Sequence, residues 1–300
     1  MAKPSIIRIG VSGWSYASWR GPFYPSDLPH TQELAFASRR FSAIEINATF
    51  YRLQSPASFG RWREATPEGF VFAIKGSGFI THRLRLREVE TPLANFFASG
   101  LLRLGPKLGP LVWQFPARTA FDAARLETFL ALLPRDTSEA LALARRHDRR
   151  LADHAWLECD VEQPIRHAVE VRHESFRDPA FIHLLRRWRV ALVCADAVEW
   201  PRLMDVTSDF LYCRLHGSEQ LYASGYDRAA LDAWAQRLRA WAAGGEAKDA
   251  ERVLGPAKTR TAGRDVFLFF DNDAKARAPI DACALITRLA PAPAEVGASS

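Results

Sequence analysis

Phe210-Leu211-Tyr212-Cys213-Arg214-Leu215-His216 is an apolar run broken by two basic side chains at its end. In an extended chain Leu211, Cys213 and Leu215 fall on one face, while Arg214 and His216 fall on the other. The run is too short for an ordinary helix and too apolar for a loop, so it reads as a buried strand. Seven more runs of this kind lie at 6–11, 43–47, 70–75, 110–115, 168–172, 190–196 and 266–271. Helical patterns at 31–41, 56–65, 92–104, 122–133, 179–189, 227–243 and 279–289 separate them, several opened by proline or a capping residue. Eight strands alternating with helices predict parallel βαβ units and a closed (β/α)8 TIM-like barrel, with an open doubly wound sheet as the alternative.

The weakest link joins the sixth and seventh strands, where 201–206 is barely a helix. The connection 116–167 is about twice the expected length and carries an arginine-rich helical pattern at 138–153. It reads as a helical insertion, about 134–160, on the rim of a single barrel domain spanning 1–290. The Pro/Ala/Gly/Ser-rich tail 291–300 is expected to be disordered.

Of the 300 residues, 48% are hydrophobic and 25% charged, which excludes wholesale disorder. No run of about 18 apolar residues suggests a membrane span, and the N-terminal residues show no secretory h-region. Cys159, Cys194, Cys213 and Cys283 form no CxxC pair, and Cys194 and Cys213 read as small core residues of a cytoplasmic protein. The net charge of +6 is a mild excess. The arginine runs at Arg83, Arg85 and Arg87 and at Arg145, Arg146, Arg149 and Arg150 read as solvated faces before they read as a nucleic-acid site.

Alternation sorts the strand residues. Ile44 with Ile46, Phe72 with Ile74, Leu111 with Trp113, and Val169 with Val171 share the helix-facing phase of Leu211, Cys213 and Leu215. The other phase carries Glu45 and Asn47, Lys75, Gln114, Glu170 and Arg172, then Arg214 and His216. Asp196, Asp271 and Asn272 extend the set. These polar residues sit at the C-terminal strand ends, which in a barrel form the mouth where active sites lie. Buried charges are costly unless paired, so a ring of them implies either a site or a self-satisfied network, such as Glu170 with Arg172 or Arg214.

Lys75, Arg172 and Arg214 are candidates to converge on an anion. Glu170, Glu45 and His216 are the candidate catalytic acid/base groups. Trp14, Asn47, Tyr51, His82, Gln114, Asp196, Tyr226, Asp271 and Asn272 complete the candidate ligand contacts. Trp14, Tyr51 and Tyr226 are chosen over Trp19, Phe23 and Phe50 because each lies close to a strand end. Glu170, Asp196, His216 and Asp271 were one possible metal set, but Arg172 and Arg214 beside them would oppose a dication, so no metal and no cofactor is assigned. Glu45 and Glu170, on strands two and five, read as too far around the ring for a glycosidase pair. No phosphate-binding GxxxxGK loop, GxGxxG turn or GxSxG elbow occurs.

The motifs together resemble a known family. Gly13-Trp14-Ser15-Tyr16 with Trp19 and Phe23-Tyr24-Pro25 comes first, then Glu45-Ile46-Asn47-Ala48-Thr49-Phe50-Tyr51. Phe72-Ala73-Ile74-Lys75 with Thr81-His82, Gln114-Phe115-Pro116 and Glu170-Val171-Arg172-His173 follow. Arg214-Leu215-His216-Gly217 and Phe270-Asp271-Asn272-Asp273 complete the series. In this order they are similar to the DUF72, or YecE-like, proteins. The resemblance implies a TIM-barrel-like fold and no known activity, so no catalytic role transfers to any position. Asp271 departs from the family, which more often carries Phe-Asn-Asn-Asp there.

Two functions fit these observations. One is an enzyme acting on a small polar, anionic ligand, phosphorylated or sugar-like, at the barrel mouth. The alternative is a nucleic-acid-binding or -processing protein, with a divalent metal as an option. A continuous basic strip leading to the mouth would favour nucleic acid, whereas scattered arginines would favour the small molecule. No membrane partner is expected.

Overall fold

The computed structural model describes residues 5–290; the expected tail 291–300 lies outside them. Eight parallel strands close in sequence order: β1 Ile7–Ser12, β2 Ala43–Ile46, β3 Val71–Lys75, β4 Leu108–Gln114, β5 His167–Glu170, β6 Ala191–Asp196, β7 Phe210–Leu215 and β8 Asp265–Phe270. β8 pairs back onto β1 with Ile7 opposite Val266 and Val11 opposite Phe270. The fold is therefore the (β/α)8 barrel and not the open sheet.

The helices are α1 Glu33–Ala37, α2 Ala48–Tyr51, α3 Pro56–Glu64, α4 Glu90–Ala98, α5 Ala123–Ala131, α6 Thr137–Ala144, α7 Pro179–Trp188, α8 Arg228–Ala242 and α9 Arg277–Leu289. Local chemistry sets their starts. Asp122, Asp136, Asp178 and Asp227 each accept a hydrogen bond from a backbone N–H of the helix they open, and proline begins α3 and α7.

Three expected helices are shorter than the sequence pattern suggests. The pattern at 31–41 begins with a 3-10 turn, His30–Gln32, before α1. The pattern at 92–104 breaks after α4 because Gly100 takes φ 112°, and a Cβ there would lie 2.6 Å from Pro56 Cα. A 3-10 stretch, Leu101–Lys107, follows. The pattern at 138–153 divides into α6 and a short 3-10 turn, Arg149–Leu151, capped by Asp148. This insertion packs on α4 outside the barrel, with Arg146 bonded to Glu90 and the Trp156 N–H donating to Ala98 O. Between β6 and β7, the described residues 197–209 carry no helix.

Two apolar clusters hold the barrel. The larger fills the space between strands and helices and contains Ile44, Phe72, Leu111, Val169, Leu211 and Cys213. Trp234 and Trp241 of α8 are buried there as well. The smaller plugs the lumen with Ala43, Ala73, Val112, Ala168, Ala191 and Val193 against the bulkier Phe210, Tyr212, Phe267 and Phe269. The small residues give the large rings room, as close packing requires. Gly10 marks a very tight approach of β1 to β2, since a Cβ there would stand 1.8 Å from Ala43 O. Gly10→Ala should lower stability by about 1–3 kcal/mol, towards the upper end because backbone must shift. Urea unfolding checks this; an unchanged midpoint would mean that β1 and β2 separate at no cost.

Candidate functional site

The C-terminal ends of the strands raise Ser12, Glu45, Lys75, Gln114, Glu170 and Arg214 into one layer above the lumen cluster. Asp271 follows directly on β8 and joins them. Arg214 is the centre of the layer and is fully buried. Its Nη1 donates to Glu170 Oε2 at 2.6 Å, and its Nη2 donates to Glu45 Oε1 and Asp271 Oδ2, each at 2.9 Å. Three strands far apart in sequence thus meet on one guanidinium, whose planar fork suits several carboxylates at once.

The carboxylates are held further. Ser12 Oγ and the Tyr212 hydroxyl donate to Glu45 at 2.9 and 2.5 Å, and Arg172 donates to Glu170 Oε1 through Nε at 2.8 Å. Burial pushes the Glu170 carboxyl up, but Arg214 and Arg172 overcome it and hold the group well below its ordinary range. Asp271 is lowered in the same way, with burial opposed by Arg214 and His216. For Arg214, burial is outweighed by Asp271, Glu45 and Glu170, which raise its pKa. The Tyr212 hydroxyl is raised by burial and by Glu45.

His216 follows directly on the end of β7, beyond Arg214, and is fully buried, with Nδ1 3.1 Å from Asp271 Oδ2 and Nε2 3.9 Å from Glu170 Oε2. The Nδ1 contact is not aligned as a hydrogen bond. Trp200 and Tyr222 cover the imidazole edge-on at 5.0 and 5.5 Å, and the Arg172 guanidinium lies 3.6 Å over the Trp200 ring.

Lys75 differs from its neighbours. It is nearly buried, yet among the described residues no carboxylate comes within ion-pair distance of its ammonium, which lies 4.6 Å over the Phe50 ring. Burial and then Arg214 lower its pKa, outweighing the upward pull of Asp271, Glu45 and Glu170. Next to it, His82 sits edge-on to Phe50, with Nδ1 2.8 Å from Thr81 Oγ1 and Nε2 3.4 Å from Gln114 Nε2. Burial, Arg172 and Lys75 push its pKa down to about 4, so the ring is neutral at neutral pH.

A second group stands at the edge. Asn47 and Asp273 lie against the Tyr16 hydroxyl, which donates to Ser12 O at 2.6 Å. Asn47 Oδ1 and Asp273 Oδ1 are buried without a hydrogen-bond partner. Burial and then the Asp271 charge push the Asp273 carboxyl up to about 8.

Glu45, Lys75, Gln114, Glu170, Arg172, Arg214, His216 and Asp271 therefore come together, with His82 and Asn47 beside them. Five expected residues do not. Asp196 is opposite Leu215, so it faces the helices, where its carboxylate accepts from Trp234 Nε1 and Arg202. Asn272 turns away and donates to Asp281 and to Ser224 O. Tyr226 packs on Phe270 and accepts from the Gly217 N–H. Trp14 packs against Trp62 and Phe72 on the helix side.

Tyr51 is 79% exposed and lies outside the mouth, whereas Phe50, read as loop packing, faces Lys75 and His82. Trp19 and Phe23 pack among Tyr24, Phe36 and Phe41 as expected. Ser12 and Tyr212 are not among the expected residues, although both share the phase of their polar neighbours. Trp200 and Tyr222 lie in irregular connections with no period to betray them.

The expected separation of Glu45 and Glu170 is also corrected, because Arg214 bridges them directly. The same bridge fills the space between them, so they form no glycosidase pair. Glu170 and Asp271 converge on Arg214 with His216 beside them, while Asp196 faces away, and no group of three or more His, Cys, Asp or Glu among the described residues could hold a metal ion. No helix among the described residues is long and apolar enough to cross a membrane.

The sequence profile described as "Protein of unknown function DUF72" matches residues 8–300. Over 112 residues the chain is 32% identical to the UPF0759 protein YecE of Escherichia coli K12, a match covering 37% of this chain and 38% of that one. The UPF0759 protein YunF of Bacillus subtilis is 28% identical over 116 residues, covering 37% and 40%. The matched stretch thus spans about two fifths of these relatives. The crystal structure of the DUF72 family protein TM1631 of Thermotoga maritima superposes with a TM-score of 0.71 at 22% identity, covering 95% of this chain and 99% of that one. That of EF0366 from Enterococcus faecalis gives 0.66 at 16% identity, covering 95% of each. Barrel, motifs and profile agree, and the chain belongs to the DUF72 family, whose function is unknown.

Proposed function

We propose that the barrel mouth binds a small anionic ligand, phosphorylated or sugar-like, and that the protein is an enzyme acting on it. The observation that carries this reading is the unpaired ammonium of Lys75. Glu45, Glu170 and Asp271 are already engaged by Arg214 and Arg172, which leaves Lys75 as the cation with no carboxylate of its own. A nearly buried ammonium that makes no direct ion pair and has Arg214 close by gains from an anion placed beside it, because Asp271, Glu45 and Glu170 act on it only at longer range. Neutral His82, Gln114 and Asn47 lie near enough to orient that ligand by hydrogen bonds without competing for its charge. Arg214 and Arg172 hold Glu170 ionised, so it serves as a base or a fixed negative charge and not as an acid. His216, between Glu170 and Asp271, is the proton-transfer group of this reading.

Thermal denaturation against phosphosugars, sugar acids and inorganic phosphate tests it. Binding at about 100 times Kd adds about 2.7 kcal/mol and raises Tm by several degrees. Lys75→Met should weaken binding about 10- to 100-fold, the loss of one charged hydrogen bond, while its own Tm does not fall. An unshifted Tm with every anion, or a shift retained in Lys75→Met, would overturn the reading.

A further inference from the structure

Outside the mouth, beyond Phe50 and His82, lies a cleft of about 640 Å³. Tyr51 and Phe79 form its aromatic wall, 79% and 43% exposed, and Arg83, Arg85 and Arg118 complete it. None of these three arginines makes an ion pair or a side-chain hydrogen bond among the described residues. The cleft lining includes no Asp or Glu. Tyr51 and Phe79 also wall a second cleft, of about 210 Å³, on their other side, where Arg52 and Arg150 stand. The two rings therefore form a ridge between two basic clefts.

The backbone here is unusual as well. Phe79–Arg83 is one turn of π-helix, a rare form found frequently at functional sites. Arg85, Leu86 and Glu88 then take φ of 51°, 64° and 50°, the left-handed region that non-glycine residues seldom occupy. The strip is continuous with the mouth, because Phe50 and His82 line the cleft and Phe50 also carries the Lys75 ammonium.

We infer that this ridge binds nucleotide units, with a base stacked on Tyr51 or Phe79 and phosphates held by Arg83, Arg85 and Arg118. Exposed rings stack on any base through its π-face, and unpaired arginines beside them capture phosphate oxygens. Sugars alone would leave the arginines without a counter-charge, and inorganic anions alone would leave the rings uncovered. The inference rests on the mouth reading in that the last phosphate reaches Lys75, so the mouth ligand is the phosphate end of a nucleotide or of a single strand.

The test is fluorescence anisotropy of the full chain with a labelled ten-residue oligothymidylate, and competition by thymidine monophosphate. Log affinity should fall with log salt with a slope of about −3, as four phosphate contacts on a single strand (Arg83, Arg85, Arg118 and Lys75) imply. Tyr51→Ala with Phe79→Ala, both at exposed positions, should weaken binding about tenfold or more. Arg83→Ala with Arg85→Ala should reduce the slope by half, to about −1.4. Competition by the monophosphate identifies a free nucleotide as the ligand, and binding of the oligomer alone identifies a strand; either carries the inference. No binding of either, binding indifferent to salt, or full affinity in the Tyr51/Phe79 double variant overturns it. Lys75→Met separates the two readings. Binding lost there but kept in the double variant leaves the mouth standing and removes the ridge, and the reverse keeps the ridge and removes the mouth.

Discussion

Arg214→Met is expected to lose about 3–5 kcal/mol of stability at pH 7, read as a lower urea midpoint. The guanidinium is the shared partner of Glu45, Glu170 and Asp271, and methionine fills its volume without its charge. Three buried carboxylates would then face one another with only Arg172 and Lys75 nearby. The pH dependence should invert with the substitution. In the parent protein Glu170 and Asp271 are depressed below their unfolded values, so their contribution is present above about pH 4 and is lost on acidification through the folded values. In the variant those carboxyls rise above their unfolded values, the folded state keeps protons that the unfolded chain releases, and stability falls as pH rises from about 4. The deficit should therefore be smaller at pH 5 than at pH 7. A variant with the parent midpoint at both would mean that the network contributes nothing and that its carboxylates reach water.

Asp273→Asn should have an effect of the opposite sign. The Asp273 carboxyl, pushed up to about 8, holds its proton in the fold while the unfolded chain gives it up near 4. Between those values the group reduces stability by about 1.4 kcal/mol per pH unit, and the decline stops once the folded carboxyl has ionised. Asparagine keeps a neutral side chain of the same shape and removes that slope. The variant should gain on the parent by about 2 kcal/mol between pH 6 and 7.5, measured as the difference in urea unfolding free energy. Parallel stability curves for the two proteins over that interval would show that Asp273 is ionised throughout and solvated.

The barrel itself was legible because it depends on local properties. Each strand is a short apolar run whose alternation has period two, and in β2, β3, β4, β5 and β7 the contrast between faces was strong enough to give the correct phase. Helix starts followed from Asp and Pro at the first turn, whereas helix ends did not, because Gly100 and Asp148 stop their segments through contacts with distant chain. The phase of β6 was not legible. Ala191–Asp196 is apolar on both faces until its last residue, so nothing in it marks Asp196 as facing Trp234 and not the lumen. Asn272 lies beyond the end of β8, where strand period no longer governs direction. On α2, Phe50 and Tyr51 are neighbours about 100° apart around a helical turn, and only the packing of β3 and the 79–83 turn turns Phe50 inward and Tyr51 outward.

By itself the sequence determined eight strands, their order, and a layer of charges at their C-terminal ends, because periodicity and burial act over a few residues. Which charges neutralise one another was decided only by closure of the barrel. Arg214 bonds to Glu45, 169 residues away, to Glu170, 44 away, and to Asp271, 57 away. These distances are set by strand register and tilt across the lumen, which no local pattern encodes. The same closure leaves the Lys75 ammonium over a phenyl ring and outside ion-pair range of the carboxylates, because Glu45, Glu170 and Asp271 are drawn to the forked guanidinium of Arg214.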